Sequence, residues 1–231
     1  MSLLLQIQTV PDSLTNPEIT EKTLSVVDLI TSGGIGGNLV MGALGILSIF
    51  AIYILIERFS AIKKASKEDE NFLKSIQNFV EAKDIEAAKI LCRNTDSPIS
   101  RMIEKGVNRI NKPMTDISAA IENQGKLEVF KMENNLANLA TISGAAPMIG
   151  FLGTVIGMIV AFHEMASAGG NIDVEMLSKG IYTAMTTTVA GLIVGIIAFI
   201  AYNYLVSKVD KVVFMLEAKT TEFLDLLHHN E

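Results

Sequence analysis

The chain has 231 residues, of which 49% are hydrophobic and only 19% are charged, and its formal net charge is −6. Acidic and basic residues are interspersed without a basic stripe or an aromatic platform, which excludes nucleic acid as a partner. The single cysteine, Cys92, excludes a disulfide framework and predicts a reduced, partly buried thiol.

Three stretches contain no charged side chain: residues 29–56, 134–163 and 180–207. A charge at the bilayer centre costs about 2.5–3.5 kcal/mol, and a helix needs roughly 20 mostly apolar residues to cross the hydrocarbon core. Each stretch is long enough to do so. The sequence therefore predicts an all-α integral membrane protein with three transmembrane helices.

The basic residues predict how the chain sits in the membrane. Fourteen of the 19 Lys and Arg residues lie in residues 57–133, with clusters at both ends of that segment. Since cytoplasmic segments are enriched in Lys and Arg near helix ends, this segment and the C-terminus are predicted to be cytoplasmic. The N-terminus and the short hairpin then lie outside the cytoplasm.

The chain divides into seven segments in order. They are an extracytoplasmic segment with a short amphipathic helix (1–33), a first span (34–57), a cytoplasmic helical domain (58–133), a second span (134–163), an extracytoplasmic hairpin (164–179), a third span (180–207) and a cytoplasmic C-terminal helix (208–231).

The cytoplasmic domain is predicted to be helical throughout. A break is expected near Lys83–Asp84, and Ser97–Pro98 has the form of a helix start, with Pro at the first helical position. From Thr115 no Pro occurs until Pro147, so the second span is predicted to continue a cytoplasmic helix without interruption. The third span likewise continues into the tail, where one face is apolar: Val209, Val212, Leu216, Phe223 and Leu227.

The second span is rich in small residues. Gly150, Gly153 and Gly157 follow Pro147, and small residues let membrane helices approach closely. Pro147 also frees a backbone carbonyl that a neighbour or water must satisfy. Two interpretations remain open: a tightly packed helix pair, or one side of a closely built, hydrated pore.

The third span carries threonines at 183, 186, 187 and 188. A lone Thr in a spanning helix usually donates a hydrogen bond to the carbonyl one turn back. That tendency does not explain four threonines within six residues. Successive positions point about 100° apart, so Thr187 and Thr183 share a face while Thr188 points elsewhere. A polar lumen or a polar partner is therefore expected, and Thr154 in the second span adds another hydroxyl.

No titratable Asp, Glu, Lys or Arg lies within the three windows. Hydroxyls can orient water and pass a proton along, but a proton path also needs a titratable relay. If the chain conducts protons, the acid must therefore come from another polypeptide. Phosphate-loop, nucleophile-elbow and metal-ligand motifs are missing, so no enzyme activity, cofactor or metal is expected, and His228–His229 are interpreted as a solvated tail.

The second span resembles the ExbB/TolQ/MotA proton-channel family at residues 146–159, APMIGFLGTVIGMI, which match the pattern AP.IG..GTV.G. The third span is similar to the same family at residues 184–192, AMTTTVAGL, followed by Tyr202–Asn203, and the Glu57–Arg58 pair also fits. The overall topology agrees, and the ExbB branch is the most similar.

The resemblance implies a proton-conducting motor subunit in the bacterial inner membrane that forms a homo-pentameric ring. An ExbD-type single-span partner would supply the protonatable Asp, and a TonB-type protein would carry the force to outer-membrane uptake. The two pore threonines of the family match Thr154 and Thr188. Some relatives carry Glu where this chain has Thr183, which strengthens the expectation that the partner alone supplies the carboxylate.

Three alternatives stay open at this point. A TolQ-like motor for envelope maintenance or a MotA-like stator would keep the mechanism and change its client. A non-conducting membrane scaffold would keep only the three spans.

Overall fold

The computed structural model describes residues 34–66, 70–167 and 174–229. The N-terminal segment, with its predicted amphipathic helix, and the centre of the hairpin between the second and third spans lie outside these residues. Within them the chain is helical, with seven helices: α1 (Gly34–Ala65), α2 (Glu70–Glu81), α3 (Ile85–Asn94), α4 (Pro98–Val107), α5 (Met114–Glu133), α6 (Leu136–Ser167) and α7 (Val174–His229).

Three stretches of these helices are long and apolar enough to cross a membrane, which confirms the predicted number of spans. They are Gly36–Ala65, Met114–Ser167 and Gly180–His228. Most of their apolar surface is exposed on the single chain, as expected for side chains that face lipid or other membrane helices. α6 and α7 pair along their length, and α1 packs against both.

The short helices between the first and second spans begin where the sequence predicts. At the start of α3, the Asp84 carboxylate accepts a hydrogen bond from the Ala87 N–H at 3.0 Å, directly after Lys83 adopts a left-handed conformation (φ 57°). At the start of α4, Ser97 and Ser100 cap each other reciprocally, and Pro98 occupies the first turn. These local signals divide the segment between the first two spans into separate helices.

The core outside the spans forms around the extended C-terminal half of α7. The predicted apolar face is confirmed, because Val209, Val212, Leu216, Phe223 and Leu227 are all buried. They pack in one cluster with residues of the four helices α2 to α5, among them Ile76, Cys92, Ile103 and Ile121. The C-terminal half of α7 thus provides the scaffold that the short segment between the first two spans lacks by itself.

Cys92 lies in this core, as the sequence predicts. Burial, together with the negative charge of Glu104, raises the pKa of the Cys92 thiol to about 12. The thiol is therefore protonated at neutral pH and acts as a small apolar side chain.

One prediction is wrong: the second span does not continue the cytoplasmic helix without interruption. α5 ends at Glu133, and α6 starts at Leu136. Asn134 has extended backbone (ψ 137°), and Asn135 has a positive φ of 65°, a conformation that Asn tolerates better than most residues. The signal for this break is the Asn134–Asn135 pair itself, whose effect is independent of any Pro.

Candidate functional site

The candidate site lies between α6 and α7, where glycines bring the two backbones close together. A Cβ atom added at Gly150 would lie 2.7 Å from the carbonyl oxygen of Thr187 and 3.0 Å from the Cα of Gly191. A Cβ atom at Gly191 would lie 2.5 Å from the carbonyl oxygen of Ala146. Only glycine fits at these two positions, because the obstructing atoms are backbone.

The close approach continues along both helices. A Cβ atom at Gly153 would meet the Thr187 side chain and Val40 of α1, and one at Gly157 would lie 2.8 Å from the Cβ of Ala184. The predicted packing residues Pro147, Gly150, Gly153 and Gly157 therefore all lie at the interface with α7, and Pro147 itself faces Gly195.

The α7 side of this interface was missed by sequence reasoning. Its small residues recur every three or four positions, as those on α6 do, and the two rows meet in antiparallel order. On α6 they are Ala146, Gly150, Gly153, Gly157 and Ala161, and on α7 they are Gly180, Ala184, Thr187, Gly191 and Gly195. A second row of small residues, on the span that follows a short hairpin, is the sequence signal for this close pair.

Thr154 and Thr188 meet across the interface. Their hydroxyl groups are hydrogen-bonded to each other. Thr154 Oγ1 also lies 3.0 Å from the carbonyl oxygen of Ala184, and Thr188 Oγ1 lies 3.2 Å from the carbonyl oxygen of Gly150. Both threonines are half-buried in the single chain. The structure thus brings together the two threonines that the resemblance selects.

Thr187 joins the same cluster from the buried side. Its side chain is 2% exposed, and its hydroxyl lies 2.7 Å from the carbonyl oxygen of Ala184 and 3.1 Å from that of Gly150. The two carbonyl groups are therefore each shared by two threonines.

Thr183 lies one turn before Thr187 on the same face of α7, whereas Thr186 lies on another face. The Thr183 hydroxyl donates to the carbonyl oxygen of Gly180 at 3.0 Å, one turn before the cluster. The Thr186 hydroxyl donates to the carbonyl oxygen of Tyr182 in its own helix at 2.9 Å. Thr186 therefore makes the hydrogen bond that is usual for a lone threonine in a membrane helix.

The cluster can redistribute its protons. The three hydroxyl groups of Thr154, Thr187 and Thr188 carry three protons. They make five contacts: four with carbonyl oxygens and one between the Thr154 and Thr188 hydroxyls. Each hydroxyl donates only one proton, so the three protons can be distributed over these contacts in several ways with similar geometry. Such a group can accept a proton on one side and release one on the other, but it supplies no acid near neutral pH.

Charged groups lie next to the charge-free windows 29–56 and 134–163. Arg58, at the end of the apolar part of α1, pairs with Glu57 and donates to the carbonyl oxygen of Lys131 at 2.9 Å. That carbonyl belongs to the last turn of α5, which the break at Asn134–Asn135 leaves without helical partners. The Glu57–Arg58 pair thereby ties α1 to the junction between α5 and α6.

In the described part of the chain, no group of three or more His, Cys, Asp and Glu side chains could hold a metal ion. The side-chain hydrogen bonds described between α6 and α7 join hydroxyl and carbonyl groups of two closely packed helices. Together with three membrane-spanning helices, this defines a multi-pass helical membrane protein with a threonine-lined helix pair.

The chain belongs to the MotA/TolQ/ExbB proton channel family, whose sequence model matches residues 94–218, more than half of its length. The match contains α6, most of α7 and the whole threonine cluster. It confirms the family that the sequence motifs predict.

Several relatives carry ExbB or TolQ names. The putative biopolymer transport protein ExbB homolog of Methanothermobacter thermautotrophicus is 26% identical over 80% of this chain and 64% of its own length. Biopolymer transport protein ExbB of Helicobacter pylori is 40% identical over 34% of this chain and 54% of its own length. The chain thus spans less than two thirds of these two relatives. Tol-Pal system protein TolQ of Pseudomonas aeruginosa is 24% identical over 92% of this chain and 96% of its own length.

Proposed function

We propose that this chain is the ring-forming subunit of a proton-driven motor in the bacterial inner membrane. In this proposal five copies surround an ExbD-type single-span partner, and a TonB-type protein transmits the work to outer-membrane transport. The N-terminus lies outside the cytoplasm and the C-terminus inside. Family membership and the ExbB names of several relatives support this assignment.

The observation that carries the proposal is the threonine cluster in spans without carboxylates. Thr154, Thr187 and Thr188 form one hydrogen-bonded group with two shared carbonyls, and none of residues 134–163 and 180–207 is Asp, Glu, Lys or Arg. A proton path in such a protein has relay groups and lacks a titratable site. The partner's Asp completes it, and the half-buried Thr154 and Thr188 hydroxyls provide the transfer step.

Proton uptake by vesicles that contain the chain with its partner tests this role. Thr188→Val keeps the shape of the side chain and removes the hydroxyl group. We expect proton uptake to fall by about tenfold, since loss of one hydrogen-bonded transfer step costs on the order of 1–2 kcal/mol. Thr188→Ser should restore most of the uptake.

Thr186→Val is the matched control, because the Thr186 hydroxyl bonds within its own helix and is not part of the cluster. Uptake should be unchanged in this variant. Wild-type uptake in Thr188→Val, with the complex shown to be intact, would contradict the proposal.

A TolQ-like role in envelope maintenance is the second candidate. The observation that favours it is the match to Tol-Pal system protein TolQ of Pseudomonas aeruginosa over nearly the whole of both chains. Both candidates use the same proton path and differ in the partner. Purification of the chain from its native membrane, followed by identification of the co-purifying single-span protein, distinguishes them.

A further inference from the structure

A basic groove lies between the cytoplasmic ends of α1 and α7, away from the threonine cluster. Its cavity has a volume of about 410 Å³. Three lysines line it: Lys63 from α1, and Lys208 and Lys211 from α7. This groove has no part in the proposed proton path.

The groove is at the level where lipid headgroups lie. Lys208 is the first charged residue after the charge-free residues 180–207, and Lys63 lies less than two turns beyond Glu57, where the first charge-free window ends. Its lysines therefore lie at the boundary between the hydrocarbon core and the cytoplasm.

The floor of the groove is apolar and aromatic. Phe59 and Tyr204 stack with their ring centroids 6.3 Å apart, and the buried side chains of Ile62 and Leu205 lie beside them. The Lys208 ammonium group lies 5.3 Å from the centre of the Tyr204 ring, which orients this cation. Aromatic rings of this kind are typical of the membrane interface.

The positive charge of the groove is not neutralised by the described part of the chain. No carboxylate lines the cavity, and none of its three lysines forms an ion pair there. Two acidic residues are close in sequence to the lining residues: Glu57 pairs with Arg58, and Asp210 is exposed and does not line the cavity. Three cations around one cavity, without counter-charges, fit a ligand with a negative charge.

An apolar surface leads from the groove toward the membrane centre. Ile56 precedes Phe59 by one turn of α1, and Ile200 precedes Tyr204 by one turn of α7. These two isoleucines are 62% and 63% exposed. A ligand with a phosphate group and a long apolar chain would therefore contact both the lysines and this surface.

We propose that the groove binds the phosphate group of an anionic phospholipid of the cytoplasmic leaflet, with an acyl chain lying over Ile56 and Ile200. The position of the cations at the membrane boundary and the apolar surface above them favour a lipid over a free anion. The proposal does not depend on proton conduction, and a chain that conducts no protons would still have this site.

The absence of tryptophan from the chain allows a direct test. Phe59→Trp places a single indole in the groove while keeping the aromatic stack. The protein is reconstituted in phosphatidylcholine vesicles that contain either brominated phosphatidylglycerol or brominated phosphatidylcholine, whose bromine atoms quench nearby indoles. We expect an apparent affinity for phosphatidylglycerol about fivefold or more above that for phosphatidylcholine, given the known contribution of interfacial lysines.

Charge variants in the Phe59→Trp background identify the source of this preference. Replacing Lys63, Lys208 and Lys211 with Gln should reduce the ratio to about one, and replacing them with Arg should keep it. Gln at Lys74, Lys105 and Lys112, which do not line the groove, should also keep it. Should the triple Gln variant fail to assemble, Lys208→Gln alone should at least halve the ratio.

Three results would overturn the proposal. One is an unchanged preference after the Gln replacements. Another is loss of the preference on addition of millimolar inorganic phosphate, which would assign the groove to a free anion. The third is an indole that neither brominated lipid quenches, which would show that a second copy of the chain or another protein covers the groove.

Discussion

Glu128 is a buried carboxylate that is paired with two cationic side chains and one neutral amide. It is 2% exposed, accepts two hydrogen bonds from the Arg101 guanidinium at 2.8 and 3.0 Å, and contacts Lys131 at 2.9 Å. Gln124 donates a further hydrogen bond at 2.7 Å. Burial alone would raise the pKa of Glu128, but the hydrogen bonds and charges of Arg101 and Lys131 outweigh it and lower the pKa below its usual range.

Removal of Arg101 leaves this carboxylate without its main partner. We expect Arg101→Met to lower the free energy of unfolding by about 2–3 kcal/mol, less than for a fully buried pair because Arg101 is about a third exposed. Circular dichroism melting in detergent measures the change. The double variant Arg101→Met, Glu128→Leu should recover part of the loss, and equal melting of Arg101→Met and wild type would contradict the assignment.

The same ion pair makes stability depend on pH. Because the folded-state pKa of Glu128 is below its unfolded value, the pair stabilises the protein fully above the unfolded pKa. Its contribution is lost as pH falls through the folded pKa. Glu128→Gln should therefore melt with a weaker dependence on acid pH than wild type.

The threonines show what residue-scale reasoning from the sequence can reach. Their density in the third span predicts a polar function, because hydrogen bonds within the helix do not explain four hydroxyl groups in six residues. The pairing of Thr154 with Thr188 and the burial of Thr187 depend on the rotation of two helices about their axes. Hydropathy does not determine that rotation, so only the family motif indicated Thr154 and Thr188.

At the scale of elements, the α6–α7 pair is held by matched small residues. In the membrane the hydrophobic effect does not drive helix association, so close backbone contact and van der Waals packing take its place. Gly150 and Gly191 lie at the closest point, beside the shared carbonyl of Gly150. The same packing that joins the helices therefore also places the threonine cluster.

Even a methyl group at Gly191 should disturb this pair. Gly191→Ala would place its Cβ 2.5 Å from the carbonyl oxygen of Ala146 and 2.9 Å from the Cα of Gly150. We expect a loss of about 1–3 kcal/mol, the usual cost of overpacking. Thermal melting of the purified complex measures it.

Gly45→Ala is the matched control, since no atom lies within 4 Å of the Cβ position at Gly45. This variant should melt like the wild type. A neutral Gly191→Ala would show that α6 and α7 are farther apart than described.

Element boundaries were predictable where the signal is local. The caps at Asp84 and Ser97 are set by side chains within three residues, and both helices begin where the sequence indicates. The break at Asn134–Asn135 contains no Pro, and a prediction that relies on Pro to end a helix does not find it. Asn135 has its positive φ at a junction that α1 stabilises, because Arg58 of α1 donates a hydrogen bond to the Lys131 carbonyl oxygen at the end of α5.

At the scale of the whole molecule, the long α7 connects the two environments. Its first half provides the threonines, and its second half provides the core outside the spans through Leu216 and Phe223. Three spans and a helical segment between the first two were predictable, because charge-free windows and periodic apolar faces determine them. The number of copies in the ring and the partner are not determined by one chain and rest on the proposal.

In the proposed function this chain provides relay hydroxyls, and a partner helix supplies the acid. Proton flux into vesicles that contain the purified chain alone, compared with vesicles that contain the chain and its partner, tests this claim most directly. Flux is expected only when both proteins are present. Flux through the chain alone, or no flux through the intact complex, would contradict it.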